Sequence, residues 1–208
     1  MRLRELTGYK NIELYKKAKE ILGGDIRDKP LYATLDEWQE IMKSYGFTHL
    51  GTGSYGSAYE HPSYPWVFKV FKHDDPYLSF FKYARRNQNN PNLPRIKGSY
   101  IRIGNDAYAV RLEKLRPITR EEWSKVEHII DVFEEMLFVD DQDDQYYDQE
   151  QNNSKEQQEL MTNFPGIYKL LAAIRYSDAF PNNAFPDHHS GNVMMRGDVP
   201  VFIDPVVE

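Results

Sequence analysis

The spacing of apolar positions changes character three times along the chain. In "NIELYKKAKEILGG", Ile12, Tyr15, Ala18, Ile21 and Leu22 recur at helical intervals and stop at Gly23-Gly24. "TLDEWQEIMKSYG" opens with the capping-box pair Thr34 and Glu37 and closes on Gly46. Two helices are therefore predicted before residue 46. From Phe47 to Leu115 the runs shorten and become β-branched and aromatic, as in "HLGTGSYGSAYEHPSYPWVFKVFK" and "RIKGSYIRIGNDAYAVRLEKL", with Gly, Pro and Asn-Asp at the breaks that hairpins require. One helix interrupts them, "DPYLSFFKYARR", with Asp75 as cap and Pro76 at the first helical position. After Arg116-Pro117 the helical period returns in "TREEWSKVEHIIDVFEEML" and "FPGIYKLLAAIRYSDAF", so the chain is predicted to be helical as far as Phe180. "VMMRGDVPVFID" then reads as two short strands around a Gly197-Asp198 turn. The pattern predicts an α+β protein: a helical extension over 1–45, a sheet region over 46–115 and a helical region over 116–208, with no internal repeat.

Composition narrows the function. With 208 residues, 40% of them apolar and 14% aromatic, the chain can bury a substantial core. No stretch approaches the roughly 18 apolar residues that span a bilayer, and the N-terminus lacks the apolar run of a signal peptide, so no membrane association is expected and the protein should act in the cytoplasm where it is made. The absence of cysteine excludes disulfides, thiolate zinc sites and cysteine nucleophiles, so any metal needs oxygen or imidazole ligands. The net charge of −6 is uneven. "DDQDDQYYDQEQNNSKEQQE", residues 140–159, has eight acids and one Lys, a local −7 that leaves +1 for the rest. Direct nucleic-acid binding is therefore not expected. The run itself is too polar to bury anything and is expected to be a disordered loop.

Three motifs carry chemistry. "GTGSYG" places Gly51, Gly53 and Gly56 in the G-x-G-x-x-G pattern with Ser54 and Tyr55 between the last two. In a dinucleotide fold a helix would follow the last Gly, but Pro62 and Pro65 forbid one here, so the loop must join two strands. That is the kinase arrangement, in which glycines let backbone amides approach nucleotide phosphates. Lys69 follows in "VFKVF", mid-strand between apolar neighbours and close to the V-A-I-K pattern. A lone strand lysine is more often an outward-facing surface residue; paired with the glycine loop it becomes a candidate for the α- and β-phosphates. Glu113 and Leu115, at the close of the sheet region, complete the nucleotide-binding candidates.

The third motif is "DHHSGNVMMRGDVPVFID". Asp187 and Asn192 have the spacing of a catalytic Asp and a magnesium-binding Asn, and the hairpin returns Asp204 as a second magnesium ligand. His189, two after Asp187, stands where protein kinases carry a phosphate-contacting Lys. "D-x-H-x-G-N" is also the form found in aminoglycoside and other bacterial-type phosphotransferases. Two other readings compete. Asp187 could simply cap a helix and Asp204 end a strand. Alternatively, Asp187-His188-His189 could belong to a two-metal phosphoesterase, but about half a dozen donors are then needed and the chain's Asp-x-Asp, Asp141 to Asp143, lies in the acidic run.

In "GTGSYGSAYEHPSYPWVFKV", "NLPRI" and "DHHSGNVMMRGDVPVFIDPV" the chain resembles the early serine/threonine protein kinase of short-tailed lytic bacteriophages, from about Phe47 to Val206. The resemblance implies a protein kinase-like two-lobed fold with an abbreviated helical lobe. It also implies ATP and Mg²⁺ as cofactors, and phosphorylation of the chain itself and of host proteins of transcription, translation or RNA processing. By it Lys69 is the nucleotide lysine, Asp187 the catalytic aspartate, and Asn192 and Asp204 the metal ligands. Departures exist. Residues 70–112 contain no Glu to pair with Lys69, so Glu37 or Glu40 is a candidate substitute, Asp74 and Asp75 being at the wrong end of their helix. Phe185-Pro186 replaces the usual His-Arg, Pro205 replaces the Gly after the metal Asp, and the sequence closes at Glu208 without an activation segment. These departures leave open a pseudokinase that binds and inhibits a host protein, and the histidine motif leaves open a small-molecule phosphotransferase.

Overall fold

The computed structural model describes residues 39, 42–43, 46–53, 56–72, 76–103, 107–138 and 155–207, with the side chains of 101–103 and 107 excepted. Most of the expected N-terminal helical extension, including the Thr34–Glu37 pair, lies outside the described residues, as do Ser54, Tyr55, Glu40, Asp74 and Asp75. The chain divides into two compact units, Met1–Asp75 with Arg95–Lys114, and Pro76–Pro94 with Leu115–Glu208.

The first unit is built on a five-stranded antiparallel sheet: β1 Thr48–Thr52, β2 Gly56–Glu60, β3 Trp66–Lys72, β4 Ile101–Ile103 and β5 Ala107–Glu113, in the order β1-β2-β3-β5-β4. Gly46 enters it at φ +82°, and the bonds from Gly46 N to Lys43 O (2.9 Å) and from Phe47 N to Met42 O (3.1 Å) form the closing turn expected of a helix ending on Gly. β3 is central, and its alternation sorts the side chains. Phe68 and Val70 turn to one face, into a core with Met42, Phe47, Tyr59, Tyr64 and Ala109, packed by Trp66. Phe47 meets Phe68 edge-on at 5.5 Å, and Tyr64 stacks on Phe68 at 5.1 Å.

The second unit holds the remaining elements. Its helices are α1 Tyr77–Arg86, α2 Arg120–Phe138, α3 Lys155–Asn163 and α4 Pro165–Tyr176; its strands are β6 Arg116–Pro117, β7 Phe185–Pro186, β8 Val193–Arg196, β9 Val199–Phe202 and β10 Val206–Val207. The strands pair as β6-β8-β9 and β10-β7. α2 and α4 carry its core: Val126, Ile130, Phe133 and Leu137 from one, Ile167, Leu170, Leu171 and Ile174 from the other, with Phe133 edge-on to Tyr168 at 5.4 Å. α2 begins with a reciprocal cap in which Glu122 N donates to Thr119 Oγ1 (3.3 Å) and Thr119 N to Glu122 Oε2 (2.9 Å).

Four sequence expectations need correction. The helix inserted in the sheet region starts at Tyr77 with Pro76 as its cap, and it groups with the second unit. Its following loop explains why: Asn90 Nδ2 donates to Gly166 O and Asn92 Nδ2 to Pro200 O, both at 2.9 Å, while Arg196 donates to the carbonyls of Pro91 and Leu93. The boundary after the sheet falls between Lys114 and Leu115, because Arg116 and Pro117 pair with Met195 and Met194 of β8. Residues 155–159, assigned to the disordered acidic loop, form the start of α3. Helix after residue 164 stops at Tyr176 rather than Phe180, with Ser177 in extended backbone, its N and Oγ both bonded to Ala173 O.

Candidate functional site

The glycine motif lies on a β-hairpin in the first unit. Thr52 pairs with Ser57, and Gly53 N donates to Gly56 O at 2.8 Å. The three glycines differ. A Cβ on Gly56 would stand 2.6 Å from Val70 O and 3.0 Å from Phe71 Cβ, so this glycine is demanded by the packing of β2 on β3. A Cβ on Gly51 would meet nothing within 4 Å, and one on Gly53 only Gly56 O at 4.0 Å. Those two leave a bare backbone that a phosphate can approach, although Gly53's own N–H is already taken within the hairpin. The register slips between His49 and Gly51, making exposed Leu50 a bulged residue beside the loop, a device common near active sites.

Lys69 sits in the middle of β3, half-buried, directly opposite Ala58 on one side and Val110 on the other. Opposed residues share a face, so Lys69 lies on the face of Gly56, Phe71 and Tyr108, away from the Phe68–Val70 core. A lysine on the same sheet face as the end of the glycine hairpin is what the nucleotide assignment needs. The two substitutes considered for its partner, Glu37 and Glu40, lie outside the described residues. Glu113 closes β5; its carboxylate accepts Arg95 N at 2.6 Å and its own N donates to Arg95 O, so it fixes the chain entering this unit again. Leu115, half-buried, begins the second unit.

In the second unit the structure brings Asp187, His189, Asn192 and the Asp204 segment together. Asn192, buried, donates through Nδ2 to both Asp187 O (2.8 Å) and Asp187 Oδ2 (2.9 Å). Asp187 N donates to Pro205 O at 2.9 Å, and Ile203 N to Asn192 O at 2.8 Å, which sets Asp204 between two residues tied to the other half of the motif. β7 and β10 continue the zipper, Val206 opposite Pro186 and Val207 opposite Phe185. Pro205 thus serves by its carbonyl, for which the ring is no obstacle. The hairpin that returns Asp204 has the expected two-residue turn: Arg196 pairs with Val199, and Gly197 takes φ +61°. No described non-glycine residue has positive φ, so Asp198 completes a turn with only its first position left-handed, the form that matches strand twist.

His189 lies beside the aspartate. Gly191 N donates to its Nδ1 at 3.0 Å, which leaves the proton on Nε2, 4.0 Å from Asp187 Oδ2. Gly191, which the sequence reading did not single out, explains the glycine of "D-x-H-x-G-N": a Cβ there would come within 2.8 Å of the ring. Asp187 and His189 remain 41% and 62% exposed, open to a substrate. His188 turns elsewhere, to Glu134, so the three residues of Asp187-His188-His189 do not converge as a two-metal phosphoesterase requires. Among the described residues no group of three or more His, Asp or Glu could hold a metal ion. The chemistry of the donor set fits magnesium: Asn192, whose Nδ2 is engaged by Asp187, retains an amide oxygen, and that oxygen and the Asp204 carboxylate are hard ligands of the kind Mg²⁺ takes when phosphates provide the rest.

Residues 23–207 match the family described as bacteriophage T7 protein kinase 0.7. The chain belongs to this kinase family. No curated protein sequence matches it. Among solved structures it is similar to that of the streptomycin–ATP–APH(2″)-IIa ternary complex, with 14% identity over 85% of this chain and 72% of that one and a TM-score of 0.33, too distant to carry residue correspondences. No helix among the described residues is long and apolar enough to cross a membrane.

Proposed function

We propose that the chain transfers the γ-phosphoryl group of ATP to Ser and Thr hydroxyls of proteins, itself and bacterial host proteins included, in the cytoplasm of an infected cell. The observation that carries this reading is the hydrogen-bonded cluster of Asp187, Asn192 and the Asp204 segment, in a chain of a kinase family. Asp187 presents an exposed carboxylate held in one rotamer by Asn192. Placed against a substrate hydroxyl, it accepts the proton as that oxygen bonds to phosphorus and the bond to ADP breaks. His189, with its Nε2 4.0 Å from Asp187 Oδ2, is suited to steady the oxygens of the phosphoryl group. Lys69 and the open backbone at Gly51 and Gly53 are assigned to the nucleotide phosphates. Bound magnesium, held by Asn192 and Asp204, would neutralise phosphate charge. The histidine motif "D-x-H-x-G-N" supports a small-molecule acceptor as the second reading.

The test is incubation with γ-labelled ATP and Mg²⁺, with and without bacterial lysate, followed by phosphoamino-acid analysis. Label on Ser and Thr of the chain and of lysate proteins is expected. Label confined to small molecules would favour the second reading. ATP that raises the melting temperature without any label transfer would leave a binding module, since a ligand of the folded state stabilises it by about 2.7 kcal/mol at a hundredfold excess over Kd.

A further inference from the structure

The usual His-Arg before the catalytic aspartate is Phe185-Pro186 here, and neither of those side chains can make a polar anchor. A different anchor follows the aspartate. His188 Nε2 lies 3.0 Å from Glu134 Oε2, across 54 residues of chain, with the two side chains 19% and 26% exposed. An ionised carboxylate only accepts, so Nε2 carries the proton and donates it. The other ring nitrogen, Nδ1, is buried with no hydrogen-bond partner among the described residues. Among the described residues Glu134 therefore supplies the ring's one hydrogen bond.

Glu134 also occupies an unusual place on its helix. It lies four residues after buried Ile130 and three before buried Leu137, beside buried Phe133, at the edge of the stripe that α2 turns to the core. An apolar residue there would avoid the desolvation cost of a carboxylate. We propose that Glu134 is a positioning residue for phosphoryl transfer, acting through His188 to fix the backbone that presents Asp187. The peptide units on either side of Asp187 are already held, its N by Pro205 O and its O by Asn192 Nδ2. Locking His188 fixes the remaining torsions between the aspartate and the turn that starts at His189. Small misplacements of a general base have large costs in rate, because the reacting atoms must lie in near-attack geometry.

This inference rests on the kinase reading, and the experiment separates the two. Label transfer is measured for the wild type, Glu134→Ala, Glu134→Gln, His188→Gln and the double variant Glu134→Ala/His188→Gln, with kcat and KM for ATP determined for each and melting temperatures recorded alongside. Glu134→Ala is expected to lower kcat about 10- to 100-fold, the range for losing an outer partner of an active-site group, with KM for ATP within about twofold. Glu134→Gln, which can still accept from Nε2, should recover most of the rate, and the double variant should be no slower than its slower parent. A wild type that transfers no label overturns the kinase reading and this assignment with it. An active wild type matched in kcat by both Glu134 variants overturns the assignment alone, as does an additive double variant. Should Glu134→Ala fail to fold, Glu134→Gln and His188→Gln decide the matter: the assignment requires the first to keep its rate and the second to lose it at unchanged KM.

Discussion

The glycine hairpin of residues 48–60 and the Asp187–Val206 segment carry chemistry in opposite ways. In the hairpin the useful feature is what the side chains leave out. Gly51 and Gly53 face open space, and only Gly56 is required by its neighbours. In the second segment the useful groups are side chains, and Asp187, His189 and Asn192 are held by hydrogen bonds from within the segment, Asn192 to Asp187, Asp187 to Pro205, Gly191 to His189. A backbone site tolerates loose surroundings because any residue supplies an amide, whereas a general base works only from one position. Substitutions in the two regions should therefore fail differently, in binding for the first and in rate for the second.

The largest effect tests the second region. Asp187→Asn retains an oxygen for the Asn192 contact and loses the carboxylate, so label transfer should fall by about 10² to 10⁴, with the ATP-induced rise in melting temperature kept. Equal activity would remove Asp187 from the chemistry. The hairpin is tested next. Gly56→Ala drives a methyl against Val70 O and should cost about 1–3 kcal/mol in chemical denaturation, as overpacking does. Gly51→Ala and Gly53→Ala, at positions without positive φ, should change stability by no more than about 0.5 kcal/mol yet weaken the ATP-induced shift. If all three behaved alike, the division of labour among the glycines would be wrong.

How far each region was legible in the sequence follows from the range of the forces that shape it. The alternation around Lys69, the Gly197-Asp198 turn and the five-residue step from Asp187 to Asn192 are local patterns, and the chain folds them as read. The Thr119–Glu122 cap is as readable in "TREE" as Thr34–Glu37 in "TLDE", a local signal independent of the apolar stripe of α2. Residues 155–159 were lost to the acidic loop because α3 buries none of its residues, so no periodicity marks it; the helix propensity of Lys, Glu and Gln was the available clue. His188–Glu134 and Asn92–Pro200 have no local signature, their partners being 54 and 108 residues apart. Asn92 is the testable member. It is buried, its Nδ2 reaches Pro200 O, and its O accepts Phe202 N, on the strand leading to Asp204. Asn92→Ala leaves Pro200 O without that donor and should cost about 1–3 kcal/mol, measured by urea denaturation. An unchanged midpoint would show that the loop does not fasten this strand.

The smallest effect concerns pH and a surface junction near the same hairpin. Arg116 grips Glu122 through both Nη atoms, at 2.9 and 2.5 Å, and through Nη2 reaches Gly197 O at the tip of the β8–β9 turn. The Arg116 hydrogen bond, followed by that from Thr119 N, holds the Glu122 carboxyl down at about 2 from an ordinary 4.5. A carboxyl whose folded pKa is depressed binds its proton more weakly in the folded chain, so its contribution is present above about pH 4.5 and is lost as pH falls toward about 2. The junction is solvent-exposed, and salt should weaken it further. Glu122→Gln keeps the cap's shape and removes the titration. The wild type should therefore exceed the variant in urea midpoint at neutral pH, by a margin that narrows steadily through this acid window and is smaller in high salt. A margin that stays constant from neutral to acid pH would mean that Glu122 acts through its shape alone, and that the turn before Asp204 owes nothing to the charge pair beneath it.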